Sequence, residues 1–249
     1  MIVLKSPREL EKIRHANKIV AETHNFLAEK IIDGITTADI NQLGEEYILK
    51  SGAIPSFKGY QGFPASICVS VNEEVVHGIP SRKRFICEGD LLSLDIGAYY
   101  EGFHGDAARS YGVGQITEEA ALLLTVTEKA FFKGVEKALV GNRLTDISYE
   151  IQQYAESHGF SIVRDYVGHG IGREMHEPPQ IPNFGPPNHG PRLKVGMTLA
   201  IEPMLNVGTF HVKTLDDGWT VVTADGKVSA HYENTIAITE DGPEILSII

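Results

Sequence analysis

Apolar residues recur at intervals of three, four and seven along the first thirty positions. Leu10, Ile13, Val20, Leu27 and Ile31 form one stripe, the spacing of a helix with a single buried face. Ser6-Pro7-Arg8-Glu9 supplies its start: a serine N-cap, a proline suited to the first turn, and a glutamate that completes a capping box. This stripe ends near Asp33-Gly34, and a second helix is expected from Thr37 to Gly52, where glycine provides a left-handed stop. The period then changes. Ile67-Cys-Val-Ser-Val and Leu91-Leu-Ser-Leu-Asp-Ile read as strands, with Gly, Pro and Asn between them. Helices return at about 117–140 and 145–158, followed by strands at about 197–206, 219–223 and 232–239.

The pattern repeats itself. Displaced by 141 − 34 = 107 positions, Gly34 falls on Gly141, Glu29-Lys30 on Glu136-Lys137 and Asp39-Ile40 on Asp146-Ile147. Tyr47 falls on Tyr154, Gly52 on Gly159, Gly89 on Gly196 and Leu92 on Leu199. Such self-similarity predicts two related halves, about 6–112 and 113–249, within one domain spanning 1–249. No Ser/Gly-rich or Pro-rich linker divides them. Under the same displacement Asp95 falls on Glu202, each ending a Gly-x-x-Leu-x-aliphatic-acid run. Period-two alternation turns each acid onto the face of its aliphatic neighbours, where a charge is costly unless something neutralises it.

Composition narrows the possibilities. The 249 residues are 42% hydrophobic, with 22 Lys+Arg against 33 Asp+Glu and a net charge of −11. That balance argues against nucleic-acid binding, which needs a basic face, and Arg82-Lys83-Arg84 is too short to reverse it. Two cysteines, Cys68 and Cys87, fit neither a zinc pattern nor a disulfide framework. The N-terminus lacks an apolar signal region, and no window approaches a membrane span, so a cytoplasmic location is expected.

Asp95 and Asp106 are the most informative pair. If the turn between their strands is centred between Tyr100 and Glu101, paired residues sum to 201 and the two aspartates stand directly opposite. Cross-strand neighbours lie about 4.5–5.5 Å apart, so this placement calls for a shared proton or a bound cation. The plainer alternative is a turn cap and a solvated acid. Three more residues shift the balance: His169 in Gly168-His-Gly-Ile-Gly, Glu202 before Pro203, and Glu233 heading an alternating strand.

Asp95, Asp106, His169, Glu202 and Glu233, in that order and in those contexts, resemble the five metal ligands of the methionine aminopeptidases. Val71-Asn-Glu-Glu-Val-Val-His-Gly-Ile-Pro, Gly102-Phe-His-Gly-Asp, Gly168-His-Gly-Ile-Gly and Trp219-Thr-Val strengthen the likeness, which covers essentially the whole chain and is similar to the short bacterial type I form. Asn234 departs from it, standing where the family usually has histidine. The resemblance implies an α/β (α+β) pita-bread fold: two pseudo-twofold-related halves, antiparallel sheet inside and helices outside. It also implies two divalent ions (Co, Mn, Fe or Zn), held by Asp95, bridged by Asp106 and Glu233, and completed by His169 and Glu202, with a water between them as nucleophile. Four carboxylates with one imidazole carry −4, which two divalent ions cancel.

By the same resemblance the catalytic residues are His77, His176 and Glu202. Glu202 takes the proton of the water, His176 stabilises the oxyanion, and His77 orients the peptide beyond its first residue. Tyr60, Phe63, Cys68, Met175 and Trp219, with His77 and His176, form the substrate pocket for an unbranched thioether. His104 is placed one strand position off the face of Asp106 and left out. The implied substrate is the N-terminus of nascent polypeptides with a small second residue, met by a monomer, with transient ribosome association left open. An Xaa-Pro aminopeptidase of the same fold, or a non-catalytic adaptor that keeps the fold, are the alternatives.

Overall fold

The computed structural model describes residues 1–249. Helix α1 (Pro7–Ala28) begins with the expected capping box: Ser6 Oγ accepts from the Glu9 N–H while Glu9 Oε2 accepts from the Ser6 N–H at 2.9 Å. Leu10, Ile13, Val20 and Leu27 are buried as the stripe requires. The helix closes five residues before Gly34, at Glu29, because the Lys30 N–H turns back onto the Leu27 carbonyl at 2.8 Å. Ile31 therefore packs from the connection rather than from the helix. Helix α2 (Thr37–Lys50) is followed by Gly52 at φ +79°, the left-handed stop.

Strands β1 (Ile54–Pro55), β2 (Ile67–Val71) and β3 (Glu74–Val76) precede the long hairpin of β4 (Leu91–Tyr100) and β5 (Phe103–Gly112). Both β1 and β2 pair antiparallel with β4, at its two ends. Helices α3 (Glu118–Val135) and α4 (Leu144–Ser157) follow, then β6 (Ser161–Ile162), β7 (Gly168–Gly170), β8 (Glu177–Ile181), β9 (Thr198–Ile201) and β10 (Met204–Asn206). The chain ends through β11 (Val212–Thr214), β12 (Val221–Thr223), β13 (Ser229–His231), β14 (Asn234–Thr239) and β15 (Gly242–Ile245).

The strand expected over 197–206 is two strands. Pro203 has no N–H to give a ladder, so pairing changes there: β9 lies between β14 and β7, whereas β10 lies between β13 and β6. Glu202 sits at that break. Likewise β12 starts at Val221, because the Trp219 and Thr220 N–H groups are both taken by Asp217 Oδ1 at 2.8 Å.

Helices α2 and α4 differ by 107 positions at each end (144 − 37 and 157 − 50), as do β1 and β6. Gly34 and Gly141 both adopt positive φ, and each N–H reaches a carbonyl 52 residues on (86 − 34 and 193 − 141), Ile86 and Leu193. One core packs α1 and α2 against β2 and β4 through Val20, Ile40, Ile67 and Leu94; another packs α3 and α4 against β9 through Leu123, Phe131, Ile151 and Leu199. Between them β5 meets the segment ahead of β14, where Ala108 and Glu233 exchange both backbone hydrogen bonds, at 2.9 and 3.3 Å.

Candidate metal centre

The β4–β5 register corrects the expected pairing. The turn is Glu101-Gly102, both at positive φ (+46° and +89°), the two-residue turn that suits a tight hairpin. Tyr100 pairs with Phe103, so partners sum to 203, and Asp95 faces Ala108 while Asp106 faces Gly97. The slip is two residues, so both aspartates keep one face and become diagonal neighbours. The direct Asp95–Asp106 opposition does not occur.

Two rows of side chains then cross the seam. Asp95 lies beside Ala108, Ala108 beside Glu233, and the β14–β9 register (Asn234 with Ile201), carried one residue further, sets Glu233 beside Glu202. In the second row Asp106 accepts from Thr235 Oγ1 through its carbonyl at 2.9 Å, Thr235 pairs with Ala200, and Ala200 pairs with His169. Period two puts both rows on one face. Ala108 and Ala200 supply the space into which four acids and an imidazole converge.

Asp106, His169 and Glu233 are buried and bring their ligand atoms within 4.8 Å of one another. His169 Nε2 stands 3.7 Å from Asp106 Oδ2 and 3.6 Å from Glu202 Oε1. Its Nδ1 faces the Gly170 carbonyl at 2.9 Å, which fixes the proton on Nδ1 and leaves a bare lone pair on Nε2. Burial first, then the neighbouring His176, holds this imidazole neutral, with its pKa lowered to about 3. A lone pair thus faces two carboxylates, and the oxygens Asp95 Oδ1, Asp106 Oδ1 and Glu233 Oε1 are buried with no hydrogen-bond partner. While ionised, all of these are acceptors, and such a set needs either a metal cation or bound protons. The donor set fits a metal. Without one, burial raises the Asp95 carboxyl to about 7, and burial with mutual repulsion pushes Asp106 and Glu233 well above the carboxylate range. Burial, then Asp95, does the same to Glu202.

Beside the acids, Phe63, Cys68 and Met175 are buried in one apolar cluster against which Tyr60 and Trp219 pack. The expected pocket residues are all brought together, joined by Phe57, Ala65 and Ile171, which sequence reasoning missed because they read as ordinary core. Phe63 meets Trp219 edge-on at 5.2 Å. His77 is a non-glycine residue at φ +59°, a conformation that needs support. Its ring stands edge-on to Tyr166 and Trp219 at 5.5 and 6.4 Å, and burial lowers its pKa to about 4. His176 lies at the rim, 4.2 Å from His169 ring to ring, with Nδ1 2.7 Å from Tyr60 Oη. His104 shares the face of Asp106 after all, two residues away on β5, but its imidazole turns aside to Ser56 Oγ at 2.9 Å.

Two further residues join the site. His231 is buried with Nε2 unpartnered, 4.0 Å from Glu202 Oε2; its two-residue spacing from Glu233 was the available signal. Asn234 accepts from Arg109 Nη2 at 2.5 Å and from Ser247 Oγ at 2.9 Å, behind the acids. Arg109 Nη1 also donates to the Glu233 carbonyl, so Asn234 helps to seat the strand that presents Glu233.

A sheet-borne cluster of carboxylates around one neutral histidine defines a metal-binding centre. Residues 11–240 match metallopeptidase family M24, and the chain belongs to that family, whose members are metal-dependent hydrolases. It is 61% identical over 249 residues to the methionine aminopeptidase of Clostridium perfringens, covering all of both chains. The crystal structure of methionine aminopeptidase from Thermotoga maritima superposes with a TM-score of 0.99 at 48% identity, again over all of both chains. Prolidase from Pyrococcus furiosus shares the fold at TM-score 0.80 and 24% identity, covering 99% of this chain and 66% of its own. The architecture is the pita-bread fold. No helix is long and apolar enough to cross a membrane.

Proposed function

We infer that this chain removes the N-terminal methionine from nascent polypeptides whose second residue is small, as a monomeric, two-metal enzyme of the cytoplasm. The single domain is read as two related halves closing over the cluster, each contributing an acid from the equivalent strand. Asp95, Asp106, His169, Glu202 and Glu233 would hold the two ions. One nitrogen among oxygens suits Mn(II), Fe(II) or Co(II) and accommodates Zn(II). Such ions supply Lewis-acid polarisation and make water acidic enough to attack near neutral pH.

The chain's own residues do the rest. Glu202, at the edge of the cluster and 14% exposed, takes the proton of the attacking water and passes it to the departing amine. Tyr60 Oη and His176 Nδ1 share a hydrogen bond at 2.7 Å; assigned with Tyr60 as the donor, it leaves Nε2 protonated and free to donate to the oxygen of the scissile carbonyl. His77, held in its left-handed conformation against Trp219, orients the peptide beyond the first residue. Phe63, Cys68, Met175, Tyr60 and Trp219 enclose the thioether, where sulfur gains from aromatic edges. The observation that carries this reading is the convergence of unsatisfied acceptors beside that small apolar cluster.

Release of free methionine from Met-Ala-Ser by the Mn(II)-loaded protein, and its loss on stripping the metal, is the expected result. Cleavage of Ala-Pro-Ala instead would assign Xaa-Pro specificity, and activity on neither peptide would leave a non-catalytic adaptor.

A further inference from the structure

One buried charged pair has no task in the chemistry above. The Lys5 side chain is 4% exposed, and its Nζ donates to Glu177 Oε2 at 2.5 Å; the Glu177 side chain is 9% exposed. Glu177 Oε1 accepts the Arg173 N–H at 2.8 Å and the Glu174 N–H at 3.4 Å, closing the turn that carries Met175 and His176. At the base of that turn the Gly172 carbonyl accepts from the His104 N–H at 2.8 Å. Gly172 has no room for a side chain: a Cβ there would meet Lys5 Cε at 2.5 Å and Glu177 Oε1 at 2.6 Å. The N-terminal segment is itself pinned, since the Lys5 N–H donates to the Gly196 carbonyl at 2.7 Å.

Stability alone does not account for such a pair. Two charges removed from water cost about what their attraction returns, and apolar groups of like volume serve the fold as well. What an apolar replacement cannot do is accept the two N–H groups of the turn while anchoring it to the N-terminal segment. We propose that Lys5 and Glu177 are positioning residues: their ion pair fixes the 172–177 turn so that His176 stands over the acid cluster and Met175 lines the pocket. This rests on the roles given above to His176 and Met175. A cleft of about 340 Å³, lined among others by Val3, Lys5, Phe103, Arg173 and His176, gives the turn somewhere to swing when the pair is lost.

The test compares the Mn(II)-loaded parent with Lys5→Met, Lys5→Arg, Gly172→Ala and the double variant Lys5→Met/Glu177→Met. It reads kcat and KM on Met-Ala-Ser, Tm, and amide hydrogen exchange over 172–177. Small displacements of a reacting group cost about ten- to a hundredfold in rate, so Lys5→Met and Gly172→Ala are expected to lose kcat on that scale. KM should stay within about threefold and exchange at Arg173 and Glu174 should accelerate. Lys5→Arg restores kcat. The decisive arm is the double variant, which recovers the parental Tm and not the parental kcat, because removing Glu177 takes away the acceptor of the turn's two N–H groups. Recovery of kcat together with Tm would reduce the pair to a structural one and overturn the proposal, as would parental kcat in Lys5→Met or, should that variant not fold, in Gly172→Ala. A parent inactive on Met-Ala-Ser would instead count against the functional assignment, a separate failure.

Discussion

A carboxylate is at home in water, and Asp106 and Glu233, buried beside a neutral imidazole with Asp95 and Glu202 half-buried next to them, are misplaced as anions unless a cation joins them. His169 expresses this most sharply: its Nδ1 proton is committed to the Gly170 carbonyl, so its Nε2 can only accept, and it faces two acids that, once ionised, can only accept as well. Asp95→Asn removes one charge without removing volume, which relieves repulsion in the metal-free protein. Turnover is expected to fall at least a hundredfold while Tm without metal holds or rises, since losing even a group that only orients a metal ligand commonly costs about 10–100-fold. Parental turnover in that variant would remove Asp95 from the metal centre. The sequence exposed these residues through their types and neighbours. His231 and Asn234 were harder, because a histidine and an asparagine within a strand look the same whether they face solvent, core or a ligand.

At the scale of elements, strand register decides what the acids can do together. The hairpin turn is displaced by one position from the one expected, so each strand pair slips by two and the Asp95–Asp106 opposition becomes a diagonal. Because the slip is even, the shared face survives; an odd slip would have sent one acid into the opposite core. Helix starts were legible because capping boxes are local, as at Ser6 and Glu9. The switch at Pro203 was half legible: proline marked an irregular backbone, whereas the change of sheet depends on residues distant in sequence. The rows crossing the seam also make Ala108 a spacer between Asp95 and Glu233. Ala108→Val adds two methyl groups to the site, and overpacking of this kind costs about 1–3 kcal/mol. It is expected to lose metal affinity by calorimetry while thermal unfolding stays cooperative; unchanged affinity would show that Ala108 faces elsewhere.

For the whole molecule, two cores meet at a seam lined with acid, and protons and metal ions compete to neutralise it. The sign follows from the carboxyls. With Asp95 raised to about 7 by burial, the folded metal-free protein holds a proton at pH 6 that the unfolded chain, with an ordinary carboxyl near about 3.9, has already lost. That contribution to stability is complete below the unfolded pKa and is lost as pH rises through about 7. Metal must expel the same proton, so its affinity and the stabilisation it confers should climb from about pH 5.5 and level off above about pH 8. Thermal shifts with and without Mn(II) across that range check this, and a flat difference would contradict it. The 107-residue recurrence of α2 in α4 and of β1 in β6 was visible in the sequence as paired glycines, because positions that need positive φ favour glycine. The seam contacts were not, since Ala108 and Glu233 carry no sign of each other.

The most direct measurement is a calorimetric titration of the stripped protein with Mn(II) near neutral pH, run beside Asp106→Asn. The account predicts saturable binding approaching two ions per chain, protons released on binding, and a large loss of affinity in the variant. Absence of binding in the parent, or binding untouched by Asp106→Asn, would contradict it.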